Sequence, residues 1–425
     1  MSEKNDTIIV ENPTRVTEAE VVVGIPSYNE ADNIAYPTDV ASRGLLESFR
    51  DKKCVIINVD NHSTDDTREV FLNTPTKIPK IYISTPAGVK GKGNNFRNLF
   101  EAAVELNARA IIVVDADLKS ITPQWIRYLG EPLLGRFDYV APIYARHKYD
   151  GSITNHIAYP MLRSLFGIRV RQPIGGDFGF SGKLARAFLS EKLWNEKIAH
   201  FGIDIWMTTI AIARRFNICQ AFLGSPKVHN PKDPAKDLGP MFTQVVSTLF
   251  DLMIDFEFIW KDTYESRPSN IYGFGLGVEE KPPAVNVDTR KLFQGFQEGF
   301  KKYGEIWEKI IPGPEYIEIN KLHEISNEKR FYYRSDLWAR ILANFAVAYR
   351  NDEIDRELLI ESMIPFYHSR VLSFVNRTEN AGVKEAEEYL ENINRIFESE
   401  KYYLISRWDA SLKRLGSKLF GPGIS

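Results

Sequence analysis

Short apolar runs and longer helical patterns alternate over much of the N-terminal half of the chain. The runs are nearly continuous and rich in β-branched residues, which is typical of parallel strands covered on both faces. They predict strands at VVVGIP (21–26), CVIINVD (54–60), KIYIS (80–84), AIIVVDAD (110–117) and around DYVAP (138–142). Helical spacing at 94–106 and 204–216 lies between or after them. The pattern predicts an α/β domain with a doubly wound sheet.

The C-terminal part of the chain has a different pattern. Segments 291–310, 335–349, 353–374 and 384–397 show helical apolar spacing with almost no strand signal. A Gly- and Pro-rich stretch of low periodicity precedes them. We therefore predict an N-terminal tail at 1–18, a sheet domain at 19–266, a linker at 267–290 and an α-helical domain at 291–425. The extent of the helical domain would allow it to form a homodimer interface.

Composition excludes several classes of protein. The chain has 54 basic and 56 acidic residues, a formal net charge of −2, so no global field favours nucleic acid or an anionic membrane. Cys54 and Cys219 both lie in apolar runs, which indicates core thiols rather than a disulfide framework or a thiolate metal site. The N-terminus lacks the apolar core of a signal peptide, and no apolar run approaches the length of a membrane span. We expect a cytoplasmic protein.

Polar residues follow the predicted strands, where ligands of doubly wound sheets bind. Asp115-Ala116-Asp117 ends a strong apolar run. Alternation along an extended chain predicts both carboxylates on one side, facing Mg²⁺ or Mn²⁺ and a diphosphate. Taken alone, such a pair more often caps a helix or bonds to a turn.

Two further motifs bear on phosphate and metal binding. Gly91-Lys92-Gly93 precedes a helical run, so the glycines permit close backbone approach and Lys92 offers positive charge to phosphate oxygens. By itself this lysine is typical of a solvated loop. His229 follows a strand-like run at 218–224 and suits a metal shell begun by Asp117, although a lone histidine is more often structural.

Two acidic motifs complete the set. In QPIGGD, Gly175 and Gly176 allow the backbone to approach a ligand and leave Asp177 free to face it, unless the motif is only a tight turn. In FGID, Asp204 begins a helical run, where it would cap the helix, face a cleft, or do both.

Taken in order, PSYNE, VDNHSTDDT, GKG, DAD, QPIGGD, FGID and a late histidine resemble the retaining mannosylglycerate and glucosylglycerate synthase group of the GT-A glycosyltransferases. The last three features are more specific than PSYNE and DAD, and SMIPFYHSRVLSFV extends the resemblance weakly into the helical half. It implies a Rossmann-like GT-A sheet domain for nucleotide-diphospho-sugars, with a C-terminal α-helical domain. It also implies transfer of a hexose, with glucose favoured, to D-glycerate in compatible-solute synthesis. The donor would be GDP-, ADP- or UDP-glucose, or GDP-mannose.

The resemblance also implies roles for particular residues. Catalytic positions are Asp204, Asp177 and Lys92, where the two acids orient hydroxyls and Lys92 contacts the diphosphate. The nucleotide sugar would be bound by Pro26, Tyr28, Glu30, Asp60, Lys92, Asp115, Gly175 and Gly176. Asp117 and His229 would hold Mg²⁺ or Mn²⁺. The glycerate acceptor would be bound by Arg146 and Thr154 of RHKYDGSIT, because a guanidinium matches a carboxylate with two hydrogen bonds.

Departures from the family pattern leave alternatives open. Asp177 stands where glutamate is usual, and Asn230-Pro231-Lys232 stands where an aromatic residue is usual. Mannosylglycerate synthase is therefore an alternative. TNHIAYPMLRSLFG is similar in part to the acceptor segment of phosphoglycerate-accepting relatives, so glucosyl-3-phosphoglycerate synthase is another.

Two more distant alternatives are less favoured. An inverting polysaccharide or lipid-linked sugar transferase would be expected to show a QxxRW-type segment or a membrane span, and Arg407-Trp408 lacks the preceding Gln. A non-catalytic nucleotide-sugar binding protein would not need DAD, GKG and His229 together.

Overall fold

A computed structural model of the chain describes residues 7–228, 238–273 and 282–420. The chain divides into two compact units. The first, here called the sheet unit, comprises Met1–Arg146, Val170–Thr248 and Pro268–Pro283. The second, the helical unit, comprises His147–Arg169, Leu249–Arg267 and Ala284–Ser425.

The strands follow one another along the chain in the sheet unit, except β7 and β10, which lie at or near its boundaries. They are β1 Ile9–Glu11, β2 Val21–Ser27, β3 Cys54–Asp60, β4 Lys80–Ser84, β5 Ala110–Val113, β6 Tyr139–Ala145, β7 Ile168–Arg169, β8 Phe178–Ser181, β9 Ile218–Pro226, β10 Arg267–Pro268 and β11 Asn270–Tyr272.

The helices occur in both units. They are α1 Ala35–Ser48, α2 Thr67–Asn73, α3 Lys92–Glu105, α4 Pro123–Leu134, α5 Tyr159–Phe166, α6 Gly182–Ser190, α7 Glu196–Ala199, α8 Ile203–Ala213, α9 Leu238–Asp255, α10 Glu257–Trp260, α11 Thr289–Ile310, α12 Gly313–His323, α13 Ser335–Asn351, α14 Arg356–Thr378 and α15 Val383–Phe420. A π-helix at Thr154–Ala158 leads into α5, and a short 3₁₀ helix spans Glu328–Arg330.

Within the described ranges, the central sheet has nine strands in the order β1-β4-β3-β2-β5-β8-β6-β9-β11. Strands β4, β3, β2 and β5 are parallel, as are β6, β9 and β11. Strand β8 is antiparallel to both β5 and β6, and β1 is antiparallel to β4. The predicted α/β sheet is therefore present but mixed. The four-residue β8 was not among the predicted strands, and it introduces antiparallel pairings within the sheet.

The parallel strands are where the sequence pattern and the structure agree best. Strands β2 and β3 are buried along their whole length, and their side chains pack in one core with Val40, Leu45 and Trp125 from α1 and α4. Burial on both faces explains why these runs contain almost no polar residue. The carboxyl ends of β2, β3 and β5 consequently lie along one edge of the sheet.

The division into units differs from the predicted boundaries. Segments His147–Arg169 and Leu249–Arg267, predicted within a sheet domain at 19–266, group with the helical unit. The predicted tail at 1–18 contributes β1 to the sheet, and the predicted linker at 267–290 contributes β11. Very short strands and separated segments carry little periodic signal, so a boundary drawn from periodicity misses them.

The helical unit is built on long helices, as predicted. Helix α11 packs on α14, where Gly299 admits Pro365: a Cβ atom at Gly299 would come within 2.2 Å of that proline ring. Helix α13 packs on α15. Across the described ranges, none of the helices combines the length and the apolar character needed to cross a bilayer.

Candidate active site

The carboxylate of Asp60 links the loops that follow β2 and β3 through hydrogen bonds. This side chain is fully buried and accepts hydrogen bonds from Ser27 Oγ at 2.6 Å, from the Ser63 backbone amide at 2.7 Å and from Tyr82 Oη at 3.0 Å. Its oxygens are thus occupied by the protein itself. Asp60, predicted to bind the nucleotide, positions the two loops in this structure.

Tyr28 and Glu30 extend from the first of these loops. Tyr28 is 38% exposed, and the ammonium group of Lys90 donates to its hydroxyl at 2.6 Å and lies 4.6 Å from its ring centroid. Glu30 accepts a hydrogen bond from Asn33 at 2.8 Å. Pro26, predicted with them, is buried within β2. Tyr28 therefore offers an exposed aromatic ring at the sheet edge, and Pro26 forms the strand beneath.

A buried cluster of opposite charges lies at the ends of β5 and β9. Lys227 directly follows β9, and only 5% of its side chain is exposed. Its ammonium group donates to Asp115 Oδ2 at 2.7 Å, to Asp177 Oδ2 at 2.7 Å and to the Gly175 carbonyl at 2.9 Å. Tyr144 donates to the same Asp177 oxygen and, at 3.0 Å, to the Gly175 carbonyl. The three donors of the ammonium group are all used.

Lys92 connects this cluster to Asp204. Its ammonium nitrogen lies 3.4 Å from Asp115 Oδ1 and 3.3 Å from Asp204 Oδ2. Lys92 is the first residue of α3, so the positive end of the helix and the ammonium group are together. Asp204 is 8% exposed, and its Oδ1 has no hydrogen-bond partner among the described residues. Its side chain does not cap α8, so it faces the cluster as one of the two predictions had it.

Burial and charge oppose each other at the two lysines. Burial alone would lower the pKa of Lys92 and of Lys227, but the nearby carboxylates outweigh it and hold both pKa values above the usual range. For Asp204, burial is the larger effect, and it raises the pKa of the carboxyl despite the attraction of Lys92. Both lysines therefore stay positively charged at neutral pH.

Glycines make the close approaches possible. A Cβ atom at Gly93 would lie 1.9 Å from the Ile198 carbonyl, and one at Gly91 would lie 2.2 Å from the Ala199 carbonyl. Gly176 has φ +87, and a Cβ atom there would lie 2.5 Å from Asp115 Oδ2. The predicted need for glycine at GKG and QPIGGD thus has a packing cause in each case.

The two carboxylates of DAD have different surroundings. Strand β5 ends at Val113 and the chain turns at Ala116 and Asp117, so the predicted alternation along extended backbone is wrong. Asp115 is held by Lys92 and Lys227. Asp117 is half-buried, pairs with no described residue and borders a small open pocket that is also lined by Asp32, Asn33, Tyr36, Leu118 and Lys119.

The donor set fits a hard divalent cation only in part. Within the described ranges, no group of three His, Cys, Asp or Glu side chains is arranged to hold a metal. His229, the second predicted ligand, lies outside the described residues. Mg²⁺ is usually coordinated by one or two carboxylates, with substrate phosphates and water completing its coordination shell. The carboxylate of Asp117, which pairs with no described residue, is suited to such a site.

The predicted acceptor residues fall in different units. Arg146 follows β6 in the sheet unit, and its guanidinium carbon lies 5.0 Å from the centroid of the Tyr144 ring. Thr154 is 3% exposed and begins the π-helix of the helical unit. In the sheet unit, Arg146 is therefore next to the charged cluster through Tyr144.

Sequence reasoning missed Lys227 and Tyr144. Lys227 lies two residues before His229, in a motif that was interpreted for its histidine alone. Tyr144 lies at the end of a predicted strand, where an aromatic residue is typical of the core. Lys227 follows Gly224-Ser225-Pro226 rather than an apolar residue, so the local sequence did not mark it as a buried lysine.

The comparisons with known proteins bear on the sheet unit. Residues 22–194 match the family model described as Glycosyl transferase family 2. No curated protein sequence matches the chain. Solved structures that match part of the chain include glucosyl-3-phosphoglycerate synthase from Mycobacterium tuberculosis with Mg²⁺ and UDP, at 23% identity and TM-score 0.44, over 55% of this chain and 79% of that one. The same enzyme with Mn²⁺, UDP-glucose and phosphoglyceric acid gives 22% identity and TM-score 0.42, over 55% and 79%.

The family match includes most of the strands at the site, but not β9, which Lys227 follows. It begins within β2, at the second residue of the strand, and ends after β8, so it includes the loop of Tyr28, Lys92 at α3, the DAD turn and the QPIGGD motif. The predicted fold class, an α/β GT-A sheet domain with a C-terminal helical region, is confirmed. Residues 22–194 of this chain are therefore similar to the family described as Glycosyl transferase family 2.

Proposed function

We propose that the protein is a divalent-cation-dependent, retaining glycosyltransferase that moves a hexose, with glucose favoured, from a nucleoside diphosphate sugar to D-glycerate. The observation that carries the proposal is the cluster of Lys92, Asp115, Asp177, Asp204 and Lys227 at the carboxyl edge of the sheet. It combines a lysine at a helix N-terminus, suited to a diphosphate, with a buried carboxylate oxygen suited to a sugar hydroxyl.

The nucleotide would lie along the loops after β2 and β3. Tyr28 presents an exposed ring for the base, and Glu30 lies in the same loop for the ribose. Asn29 and His62 have positive φ values of 54 and 55, and Asn29 exchanges hydrogen bonds with Ser63 and Thr64. Two loops fixed in this way are pre-organised for a flat ligand, which lowers the entropy lost on binding.

The diphosphate would be neutralised by Lys92 and a cation at Asp117 and His229. Val228, the last described residue before His229, accepts a hydrogen bond from the Lys119 amide at 2.8 Å and donates one to Ser120 Oγ at 2.8 Å. Val228 thus lies beside residues that follow Asp117 closely, which supports the proposal that the next residue, His229, completes the metal pair. When bound, the cation would stabilise the charge that develops on the departing diphosphate.

The residues of the cluster would position the reacting groups. In the proposed reaction, the acceptor hydroxyl oxygen bonds to the anomeric carbon as the bond from that carbon to the diphosphate oxygen breaks. The hydroxyl proton passes to the diphosphate, and attack on the leaving-group face retains the configuration. Asp204 Oδ1 would accept from a sugar hydroxyl, while Lys92 stabilises the leaving charge and Asp177, held by Lys227 and Tyr144, aligns the QPIGGD loop.

Arg146 and Thr154 would hold the glycerate. Arg146 contributes a guanidinium beside the cluster, and Thr154 contributes a hydroxyl. The segment Thr154–Gly167 contains a single arginine, Arg163, and its guanidinium is paired with Glu391 at 2.6 Å and Glu398 at 2.8 Å. A cation that already has two carboxylates is not available to an acceptor phosphate, which favours glycerate over 3-phosphoglycerate.

The reaction can be tested with the purified full chain. We would supply Mg²⁺ with D-glycerate or 3-phosphoglycerate and, in separate tubes, GDP-, ADP- or UDP-glucose or GDP-mannose. Release of nucleoside diphosphate and the anomeric configuration of the product by NMR are the readouts. An α-glycosyl-glycerate that disappears with EDTA supports the proposal. If a donor is consumed but neither acceptor is glycosylated, the transferase proposal stands and the assignment of glycerate as acceptor is rejected. If no donor is consumed, both the transferase proposal and the glycerate assignment are rejected.

Single variants separate the roles within the site. Asp117→Asn is expected to lower kcat about 100-fold or more, because it removes a carboxylate from the proposed cation. Asp32→Asn removes a carboxylate that lines the same pocket and serves as its control. Arg146→Met is expected to raise KM for glycerate about 100-fold with KM for the donor unchanged, since the proposed acceptor carboxylate loses its guanidinium. Equal effects of Asp117→Asn and Asp32→Asn would argue against the metal role.

A further inference from the structure

Arg370 lies in the middle of α14 in the helical unit and is completely buried. A guanidinium carries five N–H donors and no acceptor. Among the described residues it makes one hydrogen bond, from Nη2 to Ser335 Oγ at 3.3 Å, while Nε and Nη1 have no partner. No carboxylate of the described residues lies within ion-pair distance of it. Arg370 is thus a buried cation whose donors are largely unused.

The same unit contains a buried arginine with the opposite surroundings. Arg163 is 1% exposed, and its guanidinium bonds to both oxygens of Glu391 and both oxygens of Glu398. Burying a charge is unfavourable unless it is paired and hydrogen-bonded. Arg163 is thus a buried arginine paired with two carboxylates, whereas Arg370 is paired with none of the described carboxylates.

The groups around Arg370 are neutral hydroxyls. Ser335 begins α13. Phe374, one turn after Arg370 on α14, stacks on Tyr389 with ring centroids 6.0 Å apart. Arg370 is close enough to Tyr332 and Tyr333 to act electrostatically on both phenols. Tyr332 is 45% exposed, so the cluster reaches solvent on that side.

We propose that Arg370 is the centre of an anion-binding site in the helical unit, which takes a small oxyanion, either a carboxylate or a phosphate. Nε with Nη2 forms one edge of the guanidinium and Nη1 with Nη2 forms the other, and each edge matches two oxygens of such an anion. This inference depends only on the helical unit and stands whether or not the transferase proposal holds.

The site can be tested by thermal unfolding of the full chain in rising concentrations of inorganic phosphate or D-glycerate, with chloride at matched ionic strength. We expect a saturable rise in Tm on the order of 5 °C for one or both oxyanions, as binding to the folded state alone requires. Arg370→Met should lose this saturable rise. Arg340→Met, which removes a partly exposed arginine paired with Glu315 and Glu400 in the same unit, should keep it.

The outcomes distinguish the sources of the anion and the failure of the proposal. A rise with phosphate alone identifies a phosphate-bearing ligand, and a rise with both identifies oxyanions in general. The same rise in wild type and Arg370→Met, or a rise no larger than that in chloride, overturns the proposal.

If Arg370→Met does not fold, titration calorimetry of the wild type and of Arg370→Lys with phosphate or D-glycerate tests the site by its Kd. The lysine keeps the charge but not the planar fork, so Kd is expected to rise at least about 10-fold. An unchanged Kd in Arg370→Lys would remove Arg370 from the site. Because no sugar nucleotide is present in these measurements, their failure leaves the transferase proposal untouched.

Discussion

Each unit of this protein buries a cation, but the two cations have very different partners. In the sheet unit, Lys227 has two carboxylates at 2.7 Å and a carbonyl at 2.9 Å. In the helical unit, Arg370 has a single hydroxyl at 3.3 Å among the described residues. A buried cation surrounded by acceptors contributes to the fold, because the chain itself neutralises it. A buried cation that lacks acceptors contributes little to the fold, because its donors are left for an anion from outside the chain.

The comparison predicts that Lys227→Met has the largest effect on stability. The variant leaves Asp115 and Asp177 as neighbouring carboxylates without their shared counter-ion, and removing one partner of a buried pair costs about 3–5 kcal/mol. Urea denaturation measures the change in the free energy of unfolding. The double variant Lys227→Met with Asp177→Asn should recover part of the loss, since the amide carries no charge. If Lys227→Met lowered the free energy of unfolding by less than about 1 kcal/mol, Lys227 would not contribute more to the fold than Arg370 does.

Gly176→Ala tests the same cluster from the backbone. A β-carbon at φ +87 is strained, and it would meet Asp115 Oδ2 at 2.5 Å and Lys227 Nζ at 2.9 Å. We expect a loss of about 2–3 kcal/mol in the free energy of unfolding. Gly88→Ala is the control, because Gly88 also has a positive φ, of +87, but nothing lies within 4 Å of its added Cβ atom. The difference in lost stability between the two variants measures the effect of the contact with Asp115 and Lys227 apart from backbone strain. Equal losses would show that this contact does not contribute to the destabilisation.

Arg163→Met should have a smaller effect than Lys227→Met. It removes the partner of Glu391 and Glu398, whose side chains are 37% and 25% exposed and regain water when the arginine is lost. A loss of about 1–2 kcal/mol is expected in the same urea experiment. A loss as large as that of Lys227→Met would mean that the exposure of the partner carboxylates does not determine how much stability is lost.

Arg370→Met should have the smallest effect. In buffer without phosphate or carboxylates, replacing an unpaired buried cation by an apolar side chain of similar length is expected to change the free energy of unfolding by less than about 1 kcal/mol, in either direction. The measurement is urea denaturation in a chloride-only buffer. If this variant lost more stability than Arg163→Met, Arg370 would be a structural residue and the contrast between the two cations would disappear.

The parallel strands could be predicted from the sequence with little error. Strands β3 and β4 begin and end where the apolar runs 54–60 and 80–84 do. Both faces of such strands are buried, so nearly every position must be apolar and the pattern marks its own ends. Lys92 could also be found, because a lysine between glycines before a helical run is a local signal for an anion site.

Other parts of the fold required the tertiary structure. Strand β8 joins β5 to β6 in antiparallel order, although it is only four residues long and carries no periodic signal of its own. The chain turns at Ala116 and Asp117, where the sequence pattern predicted extended backbone. Neither feature follows from propensity, because each depends on the segments against which the residues pack.

By itself, the sequence determined the α/β class, the glycines that make room at the sheet edge, and most of the side chains gathered there. The tertiary structure alone decided which charges meet. Asp115, Asp177 and Lys227 are separated by 62 and 50 positions along the chain and join only through the order of the strands. It also decided that Arg163 receives two carboxylates and Arg370 none among the described residues. Pairing of charges is set by distance in space, which local patterns of polarity do not encode.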